Sequence, residues 1–175
     1  MSGTVPIKTE RLLLRPHVIE DADQVYALFG ADEKMYEYSG WNPYATPEMA
    51  KEYVQRCIDS YNDEYFFGWA IEADRRLIGT VGAYDYDKDK NSIELGISIA
   101  RNSWGKGYAT EAVKAVIGYL AHEKQIRTIT AWCASKNIGS KRAMEKNGMK
   151  FTGAEKGALK INGKTFDKLN FAYEG

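Results

Sequence analysis

The fold is decided by the stretch Trp104-Gly105-Lys106-Gly107-Tyr108-Ala109-Thr110-Glu111-Ala112. It follows a strand-like hydrophobic pattern and opens a long amphipathic helix pattern. Gly105 and Gly107 carry no Cβ, so the backbone can approach a ligand closely at this turn. The following helix directs unpaired N–H groups and the positive end of its dipole to the same place. A strand, a glycine turn and a helix N-terminus together predict an anion site, of the kind that binds phosphate or pyrophosphate.

Two common phosphate-binding loops do not fit this spacing. A P-loop needs Gly-x-x-x-x-Gly-Lys followed by Ser or Thr. Ala100 stands five residues before Gly105, and Gly107 follows Lys106, so the P-loop fails at two positions. A Rossmann loop needs a Gly or Ala three residues after its second glycine, where Thr110 stands here. A nucleotide-phosphate binder of either class is therefore disfavoured.

The stretch resembles the acyl-CoA-binding loop of the GNAT acetyltransferase superfamily, whose pattern is Gln/Arg-x-x-Gly-x-Gly/Ala. Gly107 and Ala109 match that pattern, and Trp104 replaces its usual first residue. Residues 9–16 are similar to the opening strand of the branch that contains the ribosomal-protein N-terminal acetyltransferases. Residues 137–149 are similar to the late Asn-x-x-Ser … Gly-Phe element of that branch. These matches occur in the right order, so the resemblance covers nearly the whole chain.

Composition limits the class of protein. The chain has 175 residues, 44% of them hydrophobic, and we expect one domain over residues 1–175 with a core at about 9–173. Lys plus Arg equals Asp plus Glu at 24 each, which disfavours a general binder of nucleic acid or membrane surfaces. No apolar run approaches the roughly 18 residues of a membrane span, and the N-terminus lacks the order of a signal peptide. Cys57 and Cys133 are expected as small core residues of a cytoplasmic protein.

The hydrophobic patterns predict an α/β (α+β) class, with a mixed sheet of about seven strands flanked by about four helices. The GNAT resemblance implies that this sheet is mostly antiparallel. Strands are expected at 11–15, 65–72, 77–85, 92–99, 128–133, 151–161 and 164–173. Helices are expected at 19–29, 46–61, 109–120 and 137–147. In the strand at 92–99, aliphatic side chains alternate with Glu94, Gly96 and Ser98, so one face is polar. The GNAT resemblance implies the same element order and a GNAT-like single domain.

By resemblance, acetyl-CoA is the expected co-substrate, and no metal is expected. The glycine turn should bind its pyrophosphate through backbone N–H groups, supplemented by the Lys106 side chain and the Thr110 hydroxyl. The expected loop contacts are Trp104, Gly105, Lys106, Gly107, Tyr108, Ala109 and Thr110. In the family the preceding strand splays from its neighbour, so main-chain groups of Ile97, Ser98 and Ile99 should bind the pantetheine arm. One of their N–H groups should polarise the thioester carbonyl. Asn137 and Ser140 complete the expected cofactor contacts.

The amine acceptor needs a base, and the leaving thiolate needs an acid. Glu94 is the best acidic candidate for the base on its strand. The alternative is that Glu94 lies on a polar strand face and has no part in catalysis. An α-amine has a pKa of roughly 7.7–8.0, so a modest base working through water suffices, whereas lysine at roughly 10.4 demands more. Many GNAT enzymes place a tyrosine four residues after the Ser140 position, where Met144 stands here and cannot donate a proton. The resemblance leaves Ser140 as the candidate acid; the alternative is that Asn137 caps a helix whose first turn contains Ser140.

Other groups carry less specific signals. His17 and His122 are isolated in the sequence, so neither a histidine-based triad nor a zinc site is expected. Residues 36–69 hold ten of the 22 aromatic residues, most of them expected in the core. The aromatic residues from Tyr38 to Tyr44 are alternative candidates for the wall of an amine pocket, because aromatic faces attract cations.

The sequence thus predicts an acetyl-CoA-dependent N-acetyltransferase that acts by direct attack, with a protein or peptide N-terminal α-amine as acceptor. A small amine, such as a polyamine or an aminoglycoside-like compound, is the alternative acceptor. A non-catalytic acyl-CoA-binding module is the alternative class, because Met144 stands where tyrosine is usual. Neither nucleic acid nor a membrane is an expected partner, and a monomer or homodimer is expected.

Overall fold

One mixed sheet runs through the computed structural model, which describes residues 2–39 and 41–175. Its strands are β1 Ile7–Lys8, β2 Leu12–Arg15, β3 Phe67–Ala73, β4 Arg76–Asp87, β5 Ser92–Ile99, β6 Thr128–Ala134, β7 Lys150–Ile161 and β8 Lys164–Glu174. These eight strands lie in the order β1-β2-β3-β4-β5-β6-β8-β7. Every neighbouring pair is antiparallel except β5 and β6, which are parallel.

Helices flank both faces of this sheet. The α-helices are α1 Asp21–Val25, α2 Pro47–Ser60, α3 Tyr108–Gly118 and α4 Ile138–Lys146. Single π-helical turns extend α1 and α3, over Tyr26–Gly30 and Tyr119–Glu123. The start of α2 follows from sequence, because the Thr46 hydroxyl accepts from the Met49 N–H at 3.1 Å and Pro47 holds the first position. Within residues 2–39 and 41–175, no helix is long and apolar enough to cross a membrane.

The expected mixed, mostly antiparallel sheet is confirmed, with one strand more than the pattern predicts. The additional strand, β1, pairs Ile7 with Leu14 and Lys8 with Leu13. A strand of two residues carries no alternation for a sequence pattern to detect. The expected helix at 19–29 is also shorter in its α-helical part, since it becomes a π turn after Val25.

The core is divided between the two faces of the sheet. On one face, the aliphatic residues of β5 pack against α3; the participants include Ile93, Leu95, Ile99, Ala112, Val113, Val116, Ile117 and Leu120. On the other face, α1 and α2 pack against Ala70 of β3 through Val25, Phe29, Ala50 and Val54. Full burial of each such aliphatic side chain contributes about 1.5–3 kcal/mol. Because side chains alternate along a strand, Glu94, Gly96 and Ser98 lie on the face that α1 and α2 cover.

An ionic network joins β2 to the start of α1. Arg15 donates to both carboxylate oxygens of Asp21, at 2.9 and 2.8 Å, and also contacts Glu72 on β3. His17 Nδ1 lies 3.2 Å from Asp21 Oδ2, so His17 is isolated only in sequence. Burial alone raises the pKa of Asp21, but the hydrogen bonds from Arg15, His17 and the Val18 N–H outweigh it and hold that pKa well below its ordinary value.

Candidate active site

Strands β5 and β6 part halfway along their length. Among the described residues, their pairing is confined to Ser92–Glu94 and Thr128–Thr130. In contrast, β4 follows β5 to Ile99, and β8 follows β6 to Ala134. One edge of β5 therefore faces a wedge-shaped gap beyond Glu94, and the structure shows the splay that the family resemblance implies.

Alternate residues of β5 direct their backbone groups into this gap. In an antiparallel pair, the N–H and C=O of one residue point to the same side of its strand. The Ala100 N–H donates to the Ile78 C=O of β4 at 2.7 Å, so Ser98, two residues earlier, also points its backbone to β4. The N–H groups of Ile97 and Ile99 consequently face the gap. Of the three predicted strand contacts, Ser98 is the one whose backbone N–H and C=O groups point to β4 and away from the gap.

Beyond the open end of the gap lies the glycine turn. Gly105 and Gly107 have φ angles of +75° and +79°, the left-handed region that L side chains rarely adopt. The bond from the Glu111 N–H to the Gly107 C=O, at 3.1 Å, begins the helical ladder of α3. The N–H groups of Tyr108–Thr110 precede that bond and lie at the positive end of the helix dipole. The turn thus has the donors and the open backbone that a pyrophosphate needs.

Arg11 holds this turn against the beginning of β2. Its Nε donates to Glu111 Oε1 at 2.7 Å, and its Nη1 donates to the Lys106 C=O at 2.8 Å. Its guanidinium carbon lies 4.6 Å from the centroid of the Tyr108 ring. The Thr9 hydroxyl donates to Glu111 Oε2 at 2.5 Å. Sequence reasoning missed the role of Arg11, although the Thr-Glu-Arg signature at residues 9–11 could have pointed to it.

Helix α4 approaches the turn from the other side of the gap. The Asn137 side chain accepts from the Ser140 N–H at 3.3 Å, so Asn137 is the helix cap and the Ser140 hydroxyl stays outside that bond. The Asn147 side chain donates to the Thr110 C=O at 3.2 Å and ties the end of α4 to the start of α3. Met144 is only 5% exposed and packs in the larger core cluster. A buried thioether therefore occupies the position at which the resemblance implies a tyrosine.

Glu94 stands at the closed end of the gap. It is the last β5 residue paired with β6, opposite Thr130, and its partner on β4 is Tyr84. Helix α4, with Ser140 in its first turn, follows β6 and begins beyond the open end. No hydrogen bond joins Glu94 to Ser140 among the described residues. The structure therefore brings together the glycine turn, the β5 edge and Trp104.

The aromatic residues between Tyr38 and Tyr44 have different surroundings. Tyr44 is buried between Phe29 and Tyr53, with its ring 4.8 Å from that of Tyr53. Tyr38 packs edge-on against Phe166 of β8 at 5.6 Å. These contacts make Tyr44 a core residue, while Tyr38 links the segment before α2 to the β7–β8 hairpin.

Comparisons with known proteins agree with this geometry. The family described as "Acetyltransferase (GNAT) domain" matches residues 11–150. The "Probable N-acetyltransferase YjcK" of Bacillus subtilis (strain 168) is 30% identical over 165 residues, 90% of each protein. A solved GNAT-family acetyltransferase from Bacillus anthracis superposes with a TM-score of 0.84 at 25% identity, covering 97% of this chain and 98% of the other.

A further solved structure carries a ligand in its description. RimL, a ribosomal alpha-N-protein acetyltransferase in complex with coenzyme A, superposes with a TM-score of 0.88 at 20% identity, over 97% of this chain and 98% of that one. At this identity the likeness concerns the fold. The family match extends over most of the chain, including the splayed strand and the glycine turn. The chain therefore belongs to the GNAT family of acetyltransferases.

Proposed function

We propose that this enzyme transfers the acetyl group of acetyl-CoA by direct attack of a primary amine, with a protein or peptide N-terminal α-amine as acceptor. The observation that carries the proposal is the gap between β5 and β6, which opens toward the glycine turn at the N-terminus of α3. The turn suits a bulky anion, because a Cβ built at Gly105 would meet no heavy atom within 4 Å. A negatively charged group can therefore come close to the backbone there.

Each part of the site has a task in this proposal. The loop N–H groups of Tyr108–Thr110 bind the pyrophosphate, and the free N–H and C=O groups of Ile97 pair with the amides of the pantetheine arm. Acetyl-CoA supplies a thioester, which is an activated acyl group. An N–H of Ile97 or Ile99 donates to the thioester oxygen as negative charge develops on it, and one such donor contributes roughly 10²–10³ in rate.

Two proton transfers accompany the changes in covalent bonds. The C–N bond forms while the C–S bond breaks. Glu94, at the closed end of the gap, accepts the amine proton through water, and the Ser140 hydroxyl donates a proton to the departing thiolate. An α-amine with a pKa of roughly 7.7–8.0 needs little help from such a base, which favours an N-terminus over a lysine side chain. The name of RimL, an alpha-N-protein acetyltransferase, supports the same acceptor class.

The state of the cysteines supports direct attack. A covalent acyl-enzyme would need a thiolate as nucleophile. Burial raises the pKa of Cys57 to about 11, and burial also raises the pKa of Cys133. Both thiols therefore stay protonated near neutral pH. Two free, buried cysteines also suit a reducing compartment, so we infer a cytoplasmic protein. Because one sheet contains every strand of the described residues, we further infer that residues 1–175 act as one domain.

One observation favours a second candidate function. Met144 is buried in the core where a tyrosine acid is usual in the family. Without that acid, the site could bind acyl-CoA and catalyse no transfer. In such a module Glu94 would have no role in turnover.

Mixing the protein with acetyl-CoA and N-terminal peptides tests both candidates. We expect free thiol to appear at the rate at which peptide gains one acetyl group by mass spectrometry. Lysine-only peptides, with a blocked α-amine, are the matched control and should react more slowly. Tight acetyl-CoA binding by calorimetry without any thiol release would favour the binding module and overturn the transferase.

A further inference from the structure

Three glycines lie side by side on the sheet face that α2 covers. The register pairs Gly68 of β3 with Gly82 of β4, and Gly82 with Gly96 of β5. This row, which we call the glycine row, leaves the face without side chains across three strands. It begins next to the cross-strand pair of Tyr84 and Glu94, at the closed end of the gap.

Two aromatic rings lie on the glycine row. A Cβ at Gly96 would meet a ring carbon of Tyr84 at 3.2 Å, and a Cβ at Gly82 would meet the Tyr84 hydroxyl at 2.5 Å. A Cβ at Gly68 would meet the Phe66 ring at 3.2 Å. The absence of Cβ atoms at these glycines thus allows both rings to pack against the backbone of the sheet. Tyr84 nevertheless keeps 43% of its surface exposed, so part of this residue is accessible to a ligand.

A recess of about 180 Å³ opens between α2 and this part of the sheet. Its lining includes Tyr53, Arg56, Cys57 and Ser60 from α2, together with Phe66 and Tyr84. Sites for drug-sized ligands occupy roughly 300–1,000 Å³. The recess therefore has room for one side chain and is too small for the linked rings of an aminoglycoside.

Among the described residues that line the recess, Arg56 is the charged one. Arg56 is exposed at its rim, and none of the described lining residues is Asp or Glu. The ion pairs of the described chain do not include Arg56. Burial raises the pKa of Tyr53, so its hydroxyl stays neutral and adds no negative charge. A polyamine, which carries several ammonium groups, would meet the cationic Arg56 and no carboxylate among these lining residues.

We propose that this recess is the acceptor subsite, and that it takes an N-terminal peptide with a compact aromatic or apolar first side chain and a nearby negative charge. The α-amine lies toward Glu94, the first side chain packs on the exposed part of Tyr84, and Arg56 faces an acidic group further along the peptide. This assignment rests on the proposed transferase function, and it excludes polyamines and aminoglycosides as preferred acceptors.

Two tetrapeptides with the same α-amine test the assignment, Phe-Glu-Ala-Ala and Phe-Lys-Ala-Ala, with spermidine as a third acceptor. We expect kcat/KM for the Glu peptide to exceed that for the Lys peptide roughly fivefold, as one partly screened charge pair would give. Spermidine should be the poorest of the three. Arg56→Glu should reverse the preference between the peptides. Lys51→Glu, which makes the same change of charge on an exposed position of α2 outside the recess, should leave it unchanged.

Binding separates a failure of this assignment from a failure of the transferase. The same peptides are titrated by calorimetry into the protein saturated with an uncleavable thioether analogue of acetyl-CoA. Binding of the Glu peptide that Arg56→Glu abolishes would support the subsite even without turnover. Acetylation with a preference for spermidine, or with equal effects of Arg56→Glu and Lys51→Glu, would overturn the subsite and leave the transferase intact. Absence of both binding and acetylation for either peptide would also overturn it.

Discussion

The indole N–H of Trp104 donates a hydrogen bond to the carbonyl oxygen of Ile99 at 2.6 Å. Trp104 is the residue that replaces the usual Gln or Arg of the family's loop pattern. The bond occupies the last carbonyl of β5 and joins the strand edge to the glycine turn. About half of the Trp104 side chain remains exposed at the open end of the gap.

Trp104→Phe should remove this bond while keeping an aromatic ring. We expect a loss of about 0.5–1.5 kcal/mol in the free energy of unfolding, which is typical of one hydrogen bond, and a lower affinity for acetyl-CoA. Chemical denaturation and calorimetry measure the two effects. Trp41→Phe, at a residue that is 71% exposed, is the matched control and should change neither. Equal behaviour of the two variants would contradict a role for the bond.

Gly107→Val should weaken acetyl-CoA binding at least tenfold, about 1.4 kcal/mol. The reason is twofold: Gly107 has a φ of +79°, and branched carbons would stand where the pyrophosphate approaches. Calorimetry measures the affinity. Gly163→Val, at a φ of +77° in the β7–β8 turn, reproduces the backbone strain away from the site. Unchanged affinity in Gly107→Val would remove the turn from the binding site.

Glu94→Gln should lower turnover by a factor on the order of 10²–10⁴ near neutral pH, if Glu94 is the base. The loss should shrink as pH rises, because the amine then loses its proton without help. Rates from pH 6 to 9, together with the KM for acetyl-CoA, test this. Glu155→Gln, an exposed carboxylate on β7, is the control. A deficit that stays constant with pH would indicate that Glu94 positions the substrate.

Ser140→Ala should slow acetyl transfer and leave CoA affinity nearly intact. The Asn137 cap binds the Ser140 N–H, so the substitution removes only the hydroxyl and spares the helix start. The loss should be smaller with a thioester whose leaving thiol is more acidic, since that thiolate departs without a proton. Equal losses for both thioesters would assign the proton to solvent.

Asp21→Asn should destabilise the protein near neutral pH by up to about 3–5 kcal/mol, since it removes the charge of the buried carboxylate that pairs with Arg15 and leaves Glu72 as the remaining carboxylate partner. The folded-state pKa of Asp21 is lowered, so its contribution is fully present above the unfolded pKa of roughly 3.9 and is lost as pH falls further. The difference between wild type and variant should therefore narrow in acid. Urea denaturation across pH measures it. Asp23→Asn, exposed on the same helix, should have little effect, and a gap between wild type and Asp21→Asn that persists in strong acid would contradict the ionic origin.

Local signals in the sequence predicted the parts of the site that lie close along the chain. The Gly105 and Gly107 spacing predicted the turn, and the alternation around Glu94 predicted which face it occupies. Contacts between distant segments left no such signal. Arg11 and Glu111 are 100 residues apart, and their pairing depends on how β2 and α3 meet.

The glycine row shows the same limit. Gly82 and Gly96 are ordinary strand glycines in the sequence, and only the register of β4 against β5 makes them neighbours. A shift of one residue would turn every side chain of β5 to the other face. Patterns within one strand cannot specify that alignment, because it is set by packing against α2 and α3 together.

The separation of β5 from β6 after Glu94 weakens the connection between the two halves of the sheet. Past this point no strand pairing among the described residues joins β1–β5 to the β6–β8–β7 half. Amide hydrogens such as that of Ile97 should therefore exchange with solvent faster than those of the paired strands. An extended ligand arm in the gap would pair with the open strand edges as an additional strand does, and it would thereby join the two halves of the sheet. By mass action, a hundredfold excess of ligand over its Kd adds about 2.7 kcal/mol to the folded state. The melting temperature of such a protein should therefore rise with the concentration of its own substrate.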